Sequence, residues 1–513
     1  MAKGYRPVDR DQPFLLPPDM RDWLPAGHLA WFVIDAVAVL DLSRFAARKT
    51  PAGSLAGRAA YDPAVLLGLL AYGYAVGVRS SRRIERACAE DVAFRVICAQ
   101  DGPDHATIAR FRRQHFADPA AMADLFAQVL VLAARAGLGK LGLIALDGTK
   151  IAAPASKDAN RTEAKLRDLA ARILAEAEAA DAAEDELYGD ARGDELPPEL
   201  ADPKTRADRI RAALAELEAE RKAAGEAARE QAGARAAELA ARQQQLDQRI
   251  AAQQAKVEDF EARNAAKIAA TGRGLREGRP VPPGQHVKIQ RDARRLERAQ
   301  RAARQEPATA DGEPGPVRNI TDPQSRLMPV RGGGFIQGYN AQAVHSADGL
   351  CLAATVTQDT TDYASFEPMM RQAGTASALL RAHARGPLRR LRAKIGTALA
   401  DAGYRSEANL TCPGPDRLIA TGKRRDLERS ARDPASPGKA AGPAATAMAD
   451  RLKTPAGIAA YRHRGPIAET PFGDIKHNRG FRRFSMRGLQ PATGEWSFQN
   501  TVTNLLKIHA ALA

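Results

Sequence analysis

Apolar residues recur at helical intervals through much of the first 136 residues. Asp62-Pro63 supplies an N-cap and a first-turn proline for an apolar helix through Leu66, Leu70 and Tyr74 that ends near Gly77. Short helices are expected at Ser81 to Glu90 and Asp91 to Cys98. The next is capped by Pro103-Asp104 and turns Ile108, Phe111 and His115 inward, so its other face presents Arg110, Arg113 and Gln114. Several short helices ending in a basic polar face fit a helix-turn-helix, whose last helix enters the major groove. An ordinary helix with solvated arginines fits the same pattern equally well. His105 reads as a surface residue at the helix start rather than as a base reader.

From about Lys157 to Gln305 the texture is Ala-, Glu-, Arg- and Gln-rich, with Ile210, Leu214, Leu217, Leu239, Leu246, Ile250, Val257 and Phe260 at steps of 3, 4 and 7. This predicts a helical hairpin or coiled-coil arm, with breaks at Gly189 to Pro203 and Gly272 to Gly284. Strands flank the arm. Leu141 to Leu146 is an apolar run expected to stop at Asp147, and Gly338 to Val344, Leu350 to Thr357 and Ile395 to Ala400 read as three more, the last delivering Asp401. A helix is expected over Tyr363 to Arg385, a loop over Ser430 to Ala447, and a packing helix over Trp496 to Ile508. The expected division is a helical DNA-binding domain at 1–136, a split α/β domain at 137–156 and 311–513, and the arm at 157–310.

A length of 513 residues allows about three domains. The formal net charge of +15 favours a polyanion, with nucleic acid leading. That charge is uneven: Glu176 to Asp202 holds eleven acidic residues against Arg192, and Arg273 to Arg304 holds ten basic against three acidic. No apolar run reaches membrane-spanning length, and the N-terminus lacks a signal-peptide pattern, so a cytoplasmic protein is expected. Cys88, Cys98, Cys351 and Cys412 form no C-x-x-C pair, and the nine histidines show no ligand spacing. Any metal would sit on carboxylates. Asp147 and Asp401, at the ends of two buried strands, point to such a site in a mixed α/β sheet, although either aspartate alone reads as a turn or cap.

A third polar cluster comprises Tyr461, Arg462, Arg464, Glu469, Lys476, Arg479, Arg482, Arg483 and Arg487. Glu469 and Lys476, seven apart, share a helix face, which suits either phosphate and metal contacts or a structural ion pair. Together, Leu146-Asp147-Gly148-Thr149-Lys150, Ala400-Asp401-Ala402-Gly403-Tyr404 and Ala468-Glu469-Thr470-Pro471-Phe472-Gly473-Asp474-Ile475-Lys476 resemble the three signatures of DDE transposases. The closest resemblance is to the bacterial insertion-sequence branch of the four/five superfamily. Asn319 to Arg326, Gly338-Tyr339-Asn340-Ala341-Gln342, Arg479 to Phe484, Arg487-Gly488-Leu489 and the segment around Asp104-His105-Ala106-Thr107-Ile108 resemble further blocks of that branch. The likeness runs from about Tyr5 to the end and is weakest in the arm.

The resemblance implies an RNase H-like mixed sheet with flanking helices, split by the helical insertion and preceded by an all-α DNA-binding domain. It implies Asp147, Asp401 and Glu469 as catalytic ligands of two divalent ions, Mg²⁺ with Mn²⁺ as a substitute. Those ions would support hydrolysis at transposon ends and 3′-hydroxyl strand transfer into target DNA. Relatives carry Y-x2-R-x3-E-x6-K, whereas Tyr461-x2-Arg464-x4-Glu469-x6-Lys476 has one extra residue before the glutamate. Lys476, Arg464, Tyr461, Arg479, Arg482 and Arg483 are expected on DNA near the site, with Arg110, Arg113 and Gln114 reading the terminal repeats and Arg273 to Arg304 contacting backbone. The implied partner is double-stranded DNA, ends and target, bound by a homodimer or larger assembly. A metal-dependent nuclease without strand transfer would use the same triad, and a catalytically silent DNA-binding protein is the other alternative.

Overall fold

Aspartates, two of them followed by proline, begin four of the six described N-terminal helices. In the computed structural model, which describes residues 19–46, 60–163, 165–169, 203–304, 317–330, 333–384, 394–422 and 442–513, α1 is Leu29–Ala38 and α2 is Pro63–Val76. Asp62 caps α2 by accepting from the Ala64 amide at 2.8 Å, and Gly77 ends it at a φ of 81°, a left-handed value that favours glycine. Next come α3 (Ser81–Glu90), α4 (Val92–Ile97), α5 (His105–Phe116) and α6 (Pro119–Arg135). Asp104 caps α5 at the Thr107 amide, 2.7 Å, and Ile108, Phe111 and His115 are buried as expected. The first strand, β1, spans Leu143–Ala152. This corrects the expectation that a strand stops at Asp147: the strand continues for five more residues, because its antiparallel partner stays paired from Ser346 back to Gly338.

The chain divides into two units, residues 1–160 with 318–513, and residues 161–317. The second holds a long helix, α7 (Pro203–Thr271), and α8 (Val287–Arg304), with the expected break between them. Leu246, Ile289 and Leu296 are buried together, with Leu239 and Ala293 against them. Ion pairs of Arg249 with Asp292 and of Arg263 with Glu277, 2.9 Å, show that α8 runs back along α7. The acidic block at 176–202 and the break beginning at Gly189 lie outside the described residues, as does the block near Tyr5.

After the arm come β2 (Arg326–Pro329), β3 (Phe335–Ser346), β4 (Cys351–Thr357), α9 (Phe366–His383), β5 (Thr397–Ala400) and β6 (Asp416–Ile419). The mixed sheet is ordered β2-β3-β1-β5-β6, with β4 also paired to β3. β3 is antiparallel to β1, β2 and β4, and β5 is parallel to β1 and β6. The four-residue β2 and β6 were not expected; strands that short carry too little alternation to be read. α10 (Pro443–Lys453), α11 (Pro455–Tyr461) and α12 (Leu489–Leu512) complete the chain. α10 replaces the end of the expected loop at Ser430 to Ala447, since Ala445, Met448, Ala449 and Leu452 make one buried face; residues 430–441 lie outside the described part. Among the described residues no single helix is long and apolar enough to cross a membrane.

No boundary separates the helices expected as a domain at 1–136 from the sheet, because both belong to the first unit and share one core. Tyr74 of α2 lies edge-on to Phe498 of α12, centroids 5.2 Å apart, and Phe116 of α5 lies 4.9 Å from the same ring. Three of the sequence blocks meet in this framework. Asp322 accepts from the Tyr339 hydroxyl at 2.8 Å and from the Gly488 amide at 3.2 Å, while Gln324 accepts from the Leu489 amide at 2.8 Å. Glu495, fully buried in α12, accepts from the Tyr74 hydroxyl at 2.8 Å and from the amides of Ser485 and Met486 at 2.7 and 3.1 Å. Glu495→Ala orphans all three donors and is expected to cost roughly 2–4 kcal/mol of unfolding free energy in a denaturant titration, against about 1 kcal/mol for Tyr74→Phe, which removes one hydroxyl.

Candidate active site

Asp147 lies within β1, at the point where the neighbour on one side runs out. β5 pairs with β1 only through Leu143 to Ala145, ends at Ala400 and turns at Asp401. The sheet therefore opens beside Asp147, and Asp401 enters the gap as the cap of a short turn, accepting from the Gly403 amide at 2.9 Å. Tyr461, at the end of α11, donates to the Ala400 carbonyl at 3.3 Å and so braces the strand end that carries Asp401. Burial pushes its hydroxyl pKa up to about 12, so it stays a donor.

Glu469 arrives by a different route. Gly465–Glu469 forms a wide π-helical turn, and Asp474–Asn478 forms a second. A π turn brings i and i+5 into line where an α-helix aligns i and i+4. The extra residue between Arg464 and Glu469 is thereby absorbed, and the two side chains meet at 3.2 Å. The Arg464 guanidinium also stands 3.1 Å from Asp147 and 3.6 Å from Asp401. All three acids thus converge on one cation, whose side chain is only 12 % exposed.

The local electrostatics follow from this crowding. Burial pushes the Asp147 carboxyl up to about 6, with Arg464 opposing and Asp401 and Glu469 adding to the rise. Burial works against the charge of Arg464, but Asp147, Tyr461, Asp401 and Glu469 more than offset it and hold its pKa above the ordinary arginine value. Lys476, aligned on the same side, donates to Thr149 Oγ1 and, at 3.4 Å, to the Lys150 carbonyl. Burial, with Arg482 nearby, lowers its pKa below the ordinary lysine range while Asp147 opposes.

The other predicted residues separate into two groups. Arg482 and Arg483 are exposed, Arg482 donating to the Lys476 carbonyl at 3.2 Å. Arg110, Arg113 and Gln114 are exposed together on α5. Arg479 departs from the expected DNA contact: it is 4 % exposed, its guanidinium held by Asp474 and Thr503 at 2.8 Å each, so it holds the turn against α12.

A polar network beside Gly148 was not foreseen. Asp362 Oδ1 accepts from Asn340 at 2.7 Å, from Gln342 at 2.9 Å and from Lys150 at 3.3 Å, and Gln342 also accepts from the buried Tyr404 hydroxyl. Its signal in the sequence is the pair of amides at alternate positions, Asn340 and Gln342, flanked by Tyr339, Ala341 and Ala343. Asp362, in a run of threonines and aspartates before a helix, reads only as a turn residue. Gly148 is required here, because a Cβ would lie 2.3 Å from Gln342 Nε2 and 2.8 Å from Asp362 Oδ1. Gly148→Ala is expected to cost roughly 1–3 kcal/mol in chemical denaturation and to displace Asp147, whereas Ala→Gly at exposed Ala106 changes stability by about 1 kcal/mol or less.

The donor set suits hard divalent cations, since it consists of carboxylate oxygens alone, and the Arg464 guanidinium is the stand-in that shows where positive charge is wanted. Spread around that guanidinium, no three acidic, histidine or cysteine side chains among the described residues stand in ready ligand geometry.

Two segments of the chain match known families. Residues 18–114 match the Transposase domain (DUF772), and residues 437–509 match the Transposase DDE domain. The first ends within α5 and includes Arg110 and Arg113, and the second includes Tyr461, Arg464, Glu469 and Lys476. No curated protein and no solved structure matches the chain.

Proposed function

From the premise that these two domains mark the chain as an insertion-sequence DDE transposase, we propose that it cuts transposon ends by hydrolysis and joins the freed 3′ end to target DNA at one carboxylate site. The observation that carries this is the convergence of Asp147, Asp401 and Glu469 on a single guanidinium. On this reading the three carboxylates hold two divalent cations, Mg²⁺ by the hardness of the donors. When bound, such ions promote attack on a phosphodiester and stabilise the departing 3′ oxygen.

The chain's own side chains do the rest. Arg464 sits within reach of all three acids and turns to the scissile phosphate as a cation on a planar fork. Lys476, anchored at Thr149, offers its ammonium to a neighbouring phosphate, which positions the strand without reading its sequence. Tyr461 keeps Asp401 in place through the Ala400 carbonyl. Strand transfer needs no new protein group, because a 3′-hydroxyl replaces water as the attacking oxygen. Arg110, Arg113 and Gln114, on a free face of α5, are the candidates for reading the terminal repeat from the major groove. Joining two ends to one target calls for at least two copies of the chain, acting on DNA in the bacterial cytoplasm. Membership in the four/five branch belongs to the same proposal.

The test is cleavage and joining of labelled element ends with a target plasmid, in Mg²⁺ or in EDTA. Wild type should yield joined products, and Asp147→Asn, Asp401→Asn, Glu469→Gln and EDTA should each abolish them while end binding persists. Cleavage without joining would favour a nuclease, and specific binding without chemistry a silent DNA-binding protein. Lys476→Met should slow cleavage by about tenfold to a hundredfold and weaken end binding, since it removes one charge-assisted phosphate contact worth roughly 1.5–3 kcal/mol.

A further inference from the structure

Several arginines of the helical arm are held by its acids. Arg242 bonds Glu238, Arg279 bonds Glu261, and Arg301 bonds Glu297 at 2.7 Å, besides the two hairpin pairs already described. A stripe on α8 has no such partner. On α8, Ile289, Ala293 and Leu296 face α7, and Lys288, Arg291, Arg295 and Arg298 lie exposed on the other side at steps of 3, 4 and 3. None of these four has a carboxylate partner among the described residues. Ten residues of helix rise about 15 Å, over which a DNA duplex carries roughly nine phosphate charges.

We propose that this stripe on α8 is a docking surface for the phosphate backbone of double-stranded DNA, sequence-independent and separate from the carboxylate site. The proposal rests on the transposase reading for the identity of the polyanion. Its own support is charge complementarity: four unpaired cations in register on one helix face, opposite the face that packs on α7. Being exposed, the stripe gains little from any single contact and acts through release of counterions from DNA, which makes its contribution steeply salt-dependent.

The experiment measures binding of the full chain to a fluorescent duplex of unrelated sequence between 50 and 200 mM salt. Three proteins are compared: wild type, Lys288→Gln/Arg291→Gln/Arg295→Gln/Arg298→Gln, and a control with the same charge change on α7, Lys222→Gln/Arg229→Gln/Lys256→Gln/Lys267→Gln. Circular dichroism melts confirm that both variants keep the helical arm. The stripe variant should lower the salt slope by about 0.9 per lost phosphate contact, so that it loses about a hundredfold less affinity across that salt range than wild type does. The control should keep the wild-type slope. An unchanged slope in the stripe variant overturns the inference, as does an equal fall in both variants, which would assign the effect to net charge. Retained duplex binding with lost capture of poly-glutamate would overturn DNA as the occupant in favour of an acidic protein. Wild-type cleavage of element ends beside any of these outcomes leaves the transposase reading standing; wild type that binds no duplex removes both.

Discussion

Three carboxylates from distant parts of the chain share one half-buried guanidinium, and the rest of the first unit is arranged around that contact. Burial raises the Asp147 carboxyl to about 6, and the negative charges of Asp401 and of the more exposed Glu469 add to the rise. Arg464 relieves the repulsion and is itself held in the charged form by the same acids. Neither side of this arrangement is stable alone: an isolated buried arginine and three crowded acids would each be costly. The geometry must therefore be enforced by covalent and packing constraints that are satisfied elsewhere.

Those constraints are visible in particular elements. β5 stops at Ala400, which opens the sheet next to Asp147, and the Tyr461 hydroxyl braces that end. The wide turn at Gly465–Glu469 takes up one residue more than an α-helix accommodates, so Arg464 and Glu469 meet despite the altered spacing. Further out, Asp322 and Glu495 tie the sheet, the N-terminal helices and α12 together through buried carboxylates that accept from hydroxyls and backbone amides. The blocks Asn319 to Arg326 and Arg487 to Leu489, which the sequence offers as resemblances with no role attached, act here as framework.

How much of this the sequence discloses depends on the range of the interaction. Local signals are legible: Asp62-Pro63, Asp104 and Gly77 mark helix ends within a residue or two, and the step pattern through Leu217, Leu246, Val257 and Phe260 marks positions that α7 buries. The candidate acids were legible through order and motif. Asp147 was misplaced at a strand end because its apolar run stops there, although the backbone ladder to β3 continues to Ala152. Arg479 looked like another DNA cation in a basic cluster, and only packing against Thr503 and Asp474 takes it out of solvent. Asp362 was invisible for the same reason, since its partners Lys150, Asn340 and Gln342 come from two strands brought together by the sheet.

The placement of cations separates two tasks. Arg464, Lys476 and Arg479 are largely buried, and each is held by carboxylates, a hydroxyl or carbonyl oxygens at fixed distance, so salt does little to them. Arg110 and Arg113 on α5, Arg483, and Lys288, Arg291, Arg295 and Arg298 on α8 stand in water, where ionic strength would set the pull on DNA that the proposals give them. A protein that must find DNA, slide and let go benefits from attraction that is weak per residue and screened, while chemistry at a phosphodiester needs charges that do not move. Burial is the property that divides them: the same residue types provide preorganised electrostatics where the sheet and the π turn enclose them, and adjustable adhesion where they do not.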